Sequence, residues 1–238
     1  MAMKTTLSIA LLAGATACAA TPGARPTDMS QASHDAAAEQ HTAQATTHLA
    51  QVDPNATAAK KECSGKVATG PCWTSTINPT AGHADEAEQH RKMAADHRAA
   101  STALQQSESS ACSGLSEADR STSPFDHRAD VLGVEDLRKT PTTGKETQVA
   151  ALQGASVTVR AVPGLTKEYL QRLVTCHLTR NASMGFAMAE MAACPLSVKG
   201  ASATVEGAGN AFRVEIRGDN KESIDLIVRR AKELKTAP

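Results

Sequence analysis

The chain has 238 residues, with 25 basic and 25 acidic side chains and no net formal charge. Such a balance lacks the basic stripe that nucleic acid requires and offers no polybasic segment for direct binding to anionic lipid. Leu, Ile, Val and Phe number only 37, and 20 of them fall after residue 152, so an ordinary apolar core is expected only in the last third.

Residues 1–17 read as a secretory signal. Lys4 precedes a short apolar run, Leu7 to Gly14, too brief to span a bilayer, and Ala15-Thr16-Ala17-Cys18 follows. This layout resembles a bacterial lipobox, in which the cysteine is lipidated and begins the mature protein. Cys18 is therefore the expected lipidation site, although Ala15-x-Ala17 would equally suit ordinary cleavage. The expectation is export across the inner membrane and attachment to the cell envelope by lipid, facing the periplasm at the outer membrane.

Residues 18–61 are rich in Ala, Thr, Gln and Ser and read as a flexible tether. It carries His34, His41 and His48 at seven-residue spacing. Cys63 to Pro79 reads as a turn-rich loop, with Gly65, Gly70 and Pro71 inside it. Cys63 and Cys72 flank that turn and suit a small disulfide in an oxidising compartment. Trp73, the one tryptophan, is expected to anchor the loop on the helix that follows.

That helix is predicted from His83 to Ser110. The stretch has no proline or glycine and is filled with Ala, Glu, Gln, Arg, Lys and Met. Asp85, Glu86 and Glu88 load its start, and Gly114 sits just past its end. It is poor in large apolar residues, so something must dock along it. His83, His90 and His97 recur every seven residues on one slowly drifting face. Glu86 and Met93 lie three residues after His83 and His90, on the same stripe. Imidazole, thioether and carboxylate are metal-ligand types. Seven residues span about 10 Å of helix axis, so His90 and His97 cannot chelate one ion alone. Residues 34–51 and 83–100 match at eight of eighteen positions, with all three histidines in register. Paired histidine helices sharing a ligand would explain the repeat. Duplication of a solvated surface helix is the plainer explanation, and it is the expectation.

Residues 62–137 thus form a cysteine loop, a long helix and a corner, Ser123-Pro124-Phe125-Asp126-His127-Arg128-Ala129-Asp130. Phe125 should pack beneath the corner. His127 beside carboxylates is a base or ligand candidate. No HExxH, nucleophile motif or phosphate loop accompanies it, so a non-enzymatic role is expected. The runs CWTSTINPT, HRKMAADHRAAS and SPFDHRAD resemble a group of bacterial envelope lipoproteins with no established activity. The resemblance covers residues 63 to about 235. It implies a secreted, lipid-anchored protein and leaves function open.

Residues 138–153 read as a linker and 154–238 as an α+β domain. A strand over 155–162 alternates, and a helix to about Asn181 carries Leu170, Leu173, Val174 and Leu178 on one stripe. His177 falls inside that stripe and should be a buried, hydrogen-bonded histidine. Met184, Met188 and Met191 are spaced as helix-packing residues. A hairpin turns at 207–210, and a last helix runs to Lys235 with Ile224, Ile227, Val228 and Leu234 inward. The order β-α-β-β-α predicts a small antiparallel sheet with helices on one face, a partial ferredoxin-like fold lacking its final strand.

With Cys18 lipidated, five cysteines remain. Cys63–Cys72 and Cys176–Cys194 are the expected bridges, and Cys112 is the odd thiol. The leading functional expectation is an envelope lipoprotein without a cofactor, acting as a structural or interaction module toward an envelope protein partner. The alternative is a periplasmic copper or zinc buffer using His90, Met93, His97, Cys112 and His127, in which thioether and thiol would favour copper(I), and histidine with thiolate zinc.

Overall fold

The computed structural model describes residues 21–64, 71–139, 150–187 and 191–236. The expected signal segment and Cys18 lie outside the described residues, as does Met188. The elements are α1 (Gln31–Ala50), β1 (Ala58–Cys63), β2 (Cys72–Ile77), α2 (Ala81–Ala111), α3 (Glu117–Ser121), a 3-10 turn (Arg128–Asp130), β3 (Val131–Lys139), β4 (Ala151–Arg160), α4 (Lys167–Ser183), β5 (Ala201–Ala208), β6 (Ala211–Gly218) and α5 (Lys221–Thr236). No helix among the described residues is long and apolar enough to cross a membrane.

The fold is α+β. Its four-stranded antiparallel sheet has the order β3-β4-β6-β5. The run β4-α4-β5-β6-α5 is the predicted β-α-β-β-α unit. The edge beside β4, where a ferredoxin-like fold carries its last strand, is filled by β3 from the N-terminal side. The linker expected over 138–153 and the domain start expected at 154 are corrected. Arg138 and Lys139 instead end β3, and Ala151 opposite Lys139 starts β4, while residues 140–149 lie outside the described ones. Alternation along the strands decides the faces: Val157, Val159, Val214 and Ile216 point into the core, and Ser156, Thr158, Arg213 and Glu215 share the opposite, polar face. Helix α4 lies against β5 and α5 against β3, β4 and β6. Leu170, Val174, Ile227 and Leu234 fill the layer between, joined by Phe125 from the corner, which is buried as expected.

The second unit is an antiparallel helical hairpin of α1 and α2, joined through the two-stranded ribbon β1-β2. Among the described residues this overturns the flexible tether expected over 18–61, since Gln31–Ala50 is helix and Ala58–Cys63 strand. The low apolar content there is real, but Ala38 and Ala45 of α1 and Ala87 and Ala94 of α2 are buried where the two helices pack, and alanine lets two helix backbones approach closely. Ser30 caps α1 by accepting from the Ser33 amide. The loop expected at Cys63 to Pro79 is also corrected, because Cys63 pairs with Cys72 across the ribbon and Ile77 with Ala58. Trp73 does not anchor this ribbon on α2; its side is 52% exposed.

The hairpin is fastened to the sheet domain along α4. Cys112, at the C-cap of α2, is disulfide-bonded to Cys176 of α4 beside Leu115 and Tyr169. Tyr169 donates to Asp119 at 2.8 Å, and His177 Nε2 donates to the Asp119 carbonyl at 3.1 Å. At the other end of α4, Gly185 has φ +68° and abuts Ser30, where a Cβ would come within 2.8 Å of the serine Cβ.

Candidate metal centre

The seven-residue spacing acquires its meaning between the two helices. Because they run antiparallel, each histidine of α1 faces one of α2: His34 faces His97, His41 faces His90 and His48 faces His83. The Nδ1 atoms of these three pairs stand 3.1, 3.2 and 3.4 Å apart. Neighbouring rungs are also in register, since His41 stacks near His97 and His48 near His90, with ring centroids 5.6 and 5.4 Å apart. Six of the eight histidines therefore form one continuous ladder. A heptad of histidine at one interface position and alanine at the other builds it, and the two repeats are related by a pseudo-two-fold axis at the His41–His90 rung.

Side-chain ties fix the register. Near the ribbon, Asp53 and Thr80 exchange hydrogen bonds, with Asp53 N to Thr80 Oγ1 at 3.0 Å and Thr80 Oγ1 to the Asp53 carbonyl at 3.1 Å. Toward the sheet domain, Arg98 donates to Thr42 Oγ1 at 2.6 Å, and Thr21 donates to Asp96.

The three rungs differ. At the ribbon end, Glu86 joins the histidines, with its Oε2 2.8 Å from His48 Nδ1 and 3.1 Å from His83 Nδ1. These three donor atoms form a compact triangle, partly open to solvent. Two nitrogens bound to one ion at about 2.0–2.1 Å stand about 2.9 Å apart at a right angle and about 3.4 Å apart in a tetrahedron. The triangle fits that range, and its open side leaves room for water as a further ligand. Without metal, both imidazoles can donate their Nδ1 protons to the one carboxylate oxygen.

At the middle rung the third donor is neutral: Gln44 Oε1 lies 3.0 Å from His41 Nδ1. At the inner rung His34 and His97 are buried, and among the described residues no side-chain oxygen is hydrogen-bonded to either ring. His34 Nε2 has no hydrogen-bond partner. The cheaper orphan is a bare lone pair rather than an N–H. His34 therefore carries its proton on Nδ1 and donates to His97 Nδ1. Burial, then the neighbouring His34 and His41, hold the His97 pKa below its ordinary value, with Asp96 opposing.

Of the ligands expected from sequence, His90 and His97 are in the ladder, but on different rungs. Met93 is half-buried one turn after His90, in the place Glu86 holds after His83. Cys112 is not a free thiol. Its bond to Cys176 overturns both the expected Cys176–Cys194 bridge and the metal set that relied on a Cys112 thiolate. The physical reason is the docking of α2 on α4, a contact that spacing along the chain could not show. Cys63–Cys72 is present as expected, and among the described residues the free thiol is Cys194, buried beside Ser123, with burial pushing its pKa up. His127 is exposed at a cleft of about 200 Å³ lined by Leu165, Leu170 and Asp130, apart from the ladder. His48, His83 and Glu86 were absent from the expected ligands. Their signal was the in-register histidine repeat, read as duplication rather than as a pair.

The fold and the site together define an α+β protein that carries a two-histidine, one-carboxylate triangle on a helical hairpin. Comparison with protein-family models, curated proteins and solved structures gives no match for the chain.

Proposed function

We propose that this is a metal-binding protein of the bacterial cell envelope, holding a zinc or copper ion through His48, His83 and Glu86. The observation that carries the reading is the convergence of two imidazole nitrogens and a carboxylate oxygen within 3.4 Å of one another. Imidazole suits zinc and copper, and the carboxylate supplies one compensating negative charge. Three protein ligands with an open side suit reversible loading, as in a buffer or carrier. Export and lipid attachment at Cys18 belong to the same proposal. The disulfides Cys63–Cys72 and Cys112–Cys176 are compatible with an oxidising compartment. An envelope protein partner also remains part of it, with exposed Trp73 on the braced ribbon as the surface offered.

The test is equilibrium titration of the full chain with zinc and with copper(II), alongside Glu86→Gln and His83→Ala. Removing the carboxylate charge or one imidazole should weaken the tightest site by at least tenfold, an order of magnitude in line with about 1.4 kcal/mol per decade. Absence of stoichiometric binding, or unchanged affinity in both variants, would overturn the reading.

A further inference from the structure

Building on that reading, we infer that the hairpin carries a second metal position, on the middle rung, with His41 Nδ1, His90 Nδ1 and Gln44 Oε1 as donors and copper(II) as its preferred ion. Two of the three sides of the outer triangle recur one heptad along, from His41 to His90 and from His41 to Gln44. His41 and His90 face each other at 3.2 Å, and Gln44 stands one turn after His41 as Glu86 stands one turn after His83. The Nδ1 separation again lies between the right-angle and tetrahedral values for two nitrogens on one ion.

The chemistry of the two positions differs in one respect. Glu86 brings a negative charge, and Gln44 brings an amide carbonyl. A neutral set must hold its ion by the strength of the nitrogen bonds themselves, and among first-row dications these are strongest with copper(II). The rungs are one heptad apart, about 10 Å along the axis. That is about one Debye length at ordinary ionic strength, so two ions can be held together. His41, His90 and Gln44 are half-buried, which leaves a side for water ligands. The inner rung is different. His34 and His97 are 0% and 3% exposed, and a dication there would be stripped of its water ligands with only the two imidazole nitrogens as donors. The ladder therefore takes two copper ions and not three.

Copper(II) titration of the full chain, followed by calorimetry and electron paramagnetic resonance, tests this. The expected result is two ions per chain, with dipolar broadening at the second equivalent from two spins about 10 Å apart. Gln44→Leu should weaken the second site at least tenfold and leave the first unchanged. His41→Ala should bind one ion and show no broadening. Its retained first site, with unchanged helical circular dichroism, shows that the hairpin is intact. One ion per chain in the native protein, or three, overturns the inference. So does a second site indifferent to both variants. If a single ion binds and is lost in His83→Ala, only this inference fails. If neither copper nor zinc binds at all, the outer-rung reading fails with it.

Discussion

Cys112, where α2 ends, is bonded to Cys176 in the third turn of α4, so the histidine hairpin and the sheet domain are joined covalently as well as by packing. The bridge closes a loop 64 residues apart in sequence, against 9 for Cys63–Cys72. In the chain-entropy model these are worth about 4 and about 2.5 kcal/mol respectively. The double variant Cys112→Ser with Cys176→Ser should lower unfolding stability by more than the corresponding Cys63/Cys72 pair. Denaturant titration of the two variants measures the order, and equal losses would contradict it.

Cys194 should behave as a protected thiol. It is 5% exposed, and burial disfavours its thiolate. Alkylation of the native protein at pH 8 should leave it unmodified, and alkylation after unfolding should add one label. Rapid labelling of the native chain at Cys194, read by peptide mass, would refute its protection by burial.

Acid should destabilise the fold through His177. Its imidazole is buried, with Nε2–H given to the Asp119 carbonyl and Nδ1 unpartnered. Burial holds its pKa below the ordinary value, outweighing the hydrogen bonds to Asp119 and Thr122 that raise it. Above the unfolded value of about 6.5 both states are neutral and the group costs nothing. As pH falls through that value the unfolded chain takes up a proton that the folded chain refuses, so stability declines. The slope reaches about 1.4 kcal/mol per pH unit for one proton. His177→Gln should flatten the dependence between pH 7 and 5. An unchanged slope by denaturant titration would remove His177 as its source.

Ala94 is 1% exposed between the helices, one turn after His90. Ala94→Leu should cost about 1–3 kcal/mol by overpacking, because the helices must separate to admit the side chain. The same separation parts the rungs, so metal affinity should fall although no ligand has changed. Native affinity in a folded Ala94→Leu protein would show that the ladder does not depend on close helix approach.

Much of the architecture was legible along the chain. Period-two alternation from Ala155 and the stripe Leu170, Leu173, Val174, Leu178 gave β4 and α4, because burial on one face imposes a period that sequence displays. The long helix was legible from composition alone. The buried, hydrogen-bonded state of His177 followed from its place in that stripe. Helix α1 was not legible as structure, because its buried residues are alanines and a histidine. Such residues carry no hydropathy signal, and their burial depends on a partner thirty or more residues away.

The sequence by itself determined which residue types recur and at what interval: histidine every seventh position, twice, with Glu86 one turn after the first of the second set. It could not determine which histidine meets which. Within one helix the interval of about 10 Å separates them beyond any shared ligand. Only the antiparallel closure of α1 on α2 converts that separation into pairs at 3.1 to 3.4 Å. The cysteines obey the same logic. Cys63 and Cys72 meet because near neighbours in the chain pair across one ribbon, which spacing shows. Cys112 meets Cys176 because one helix docks on another, and that choice belongs to packing in three dimensions.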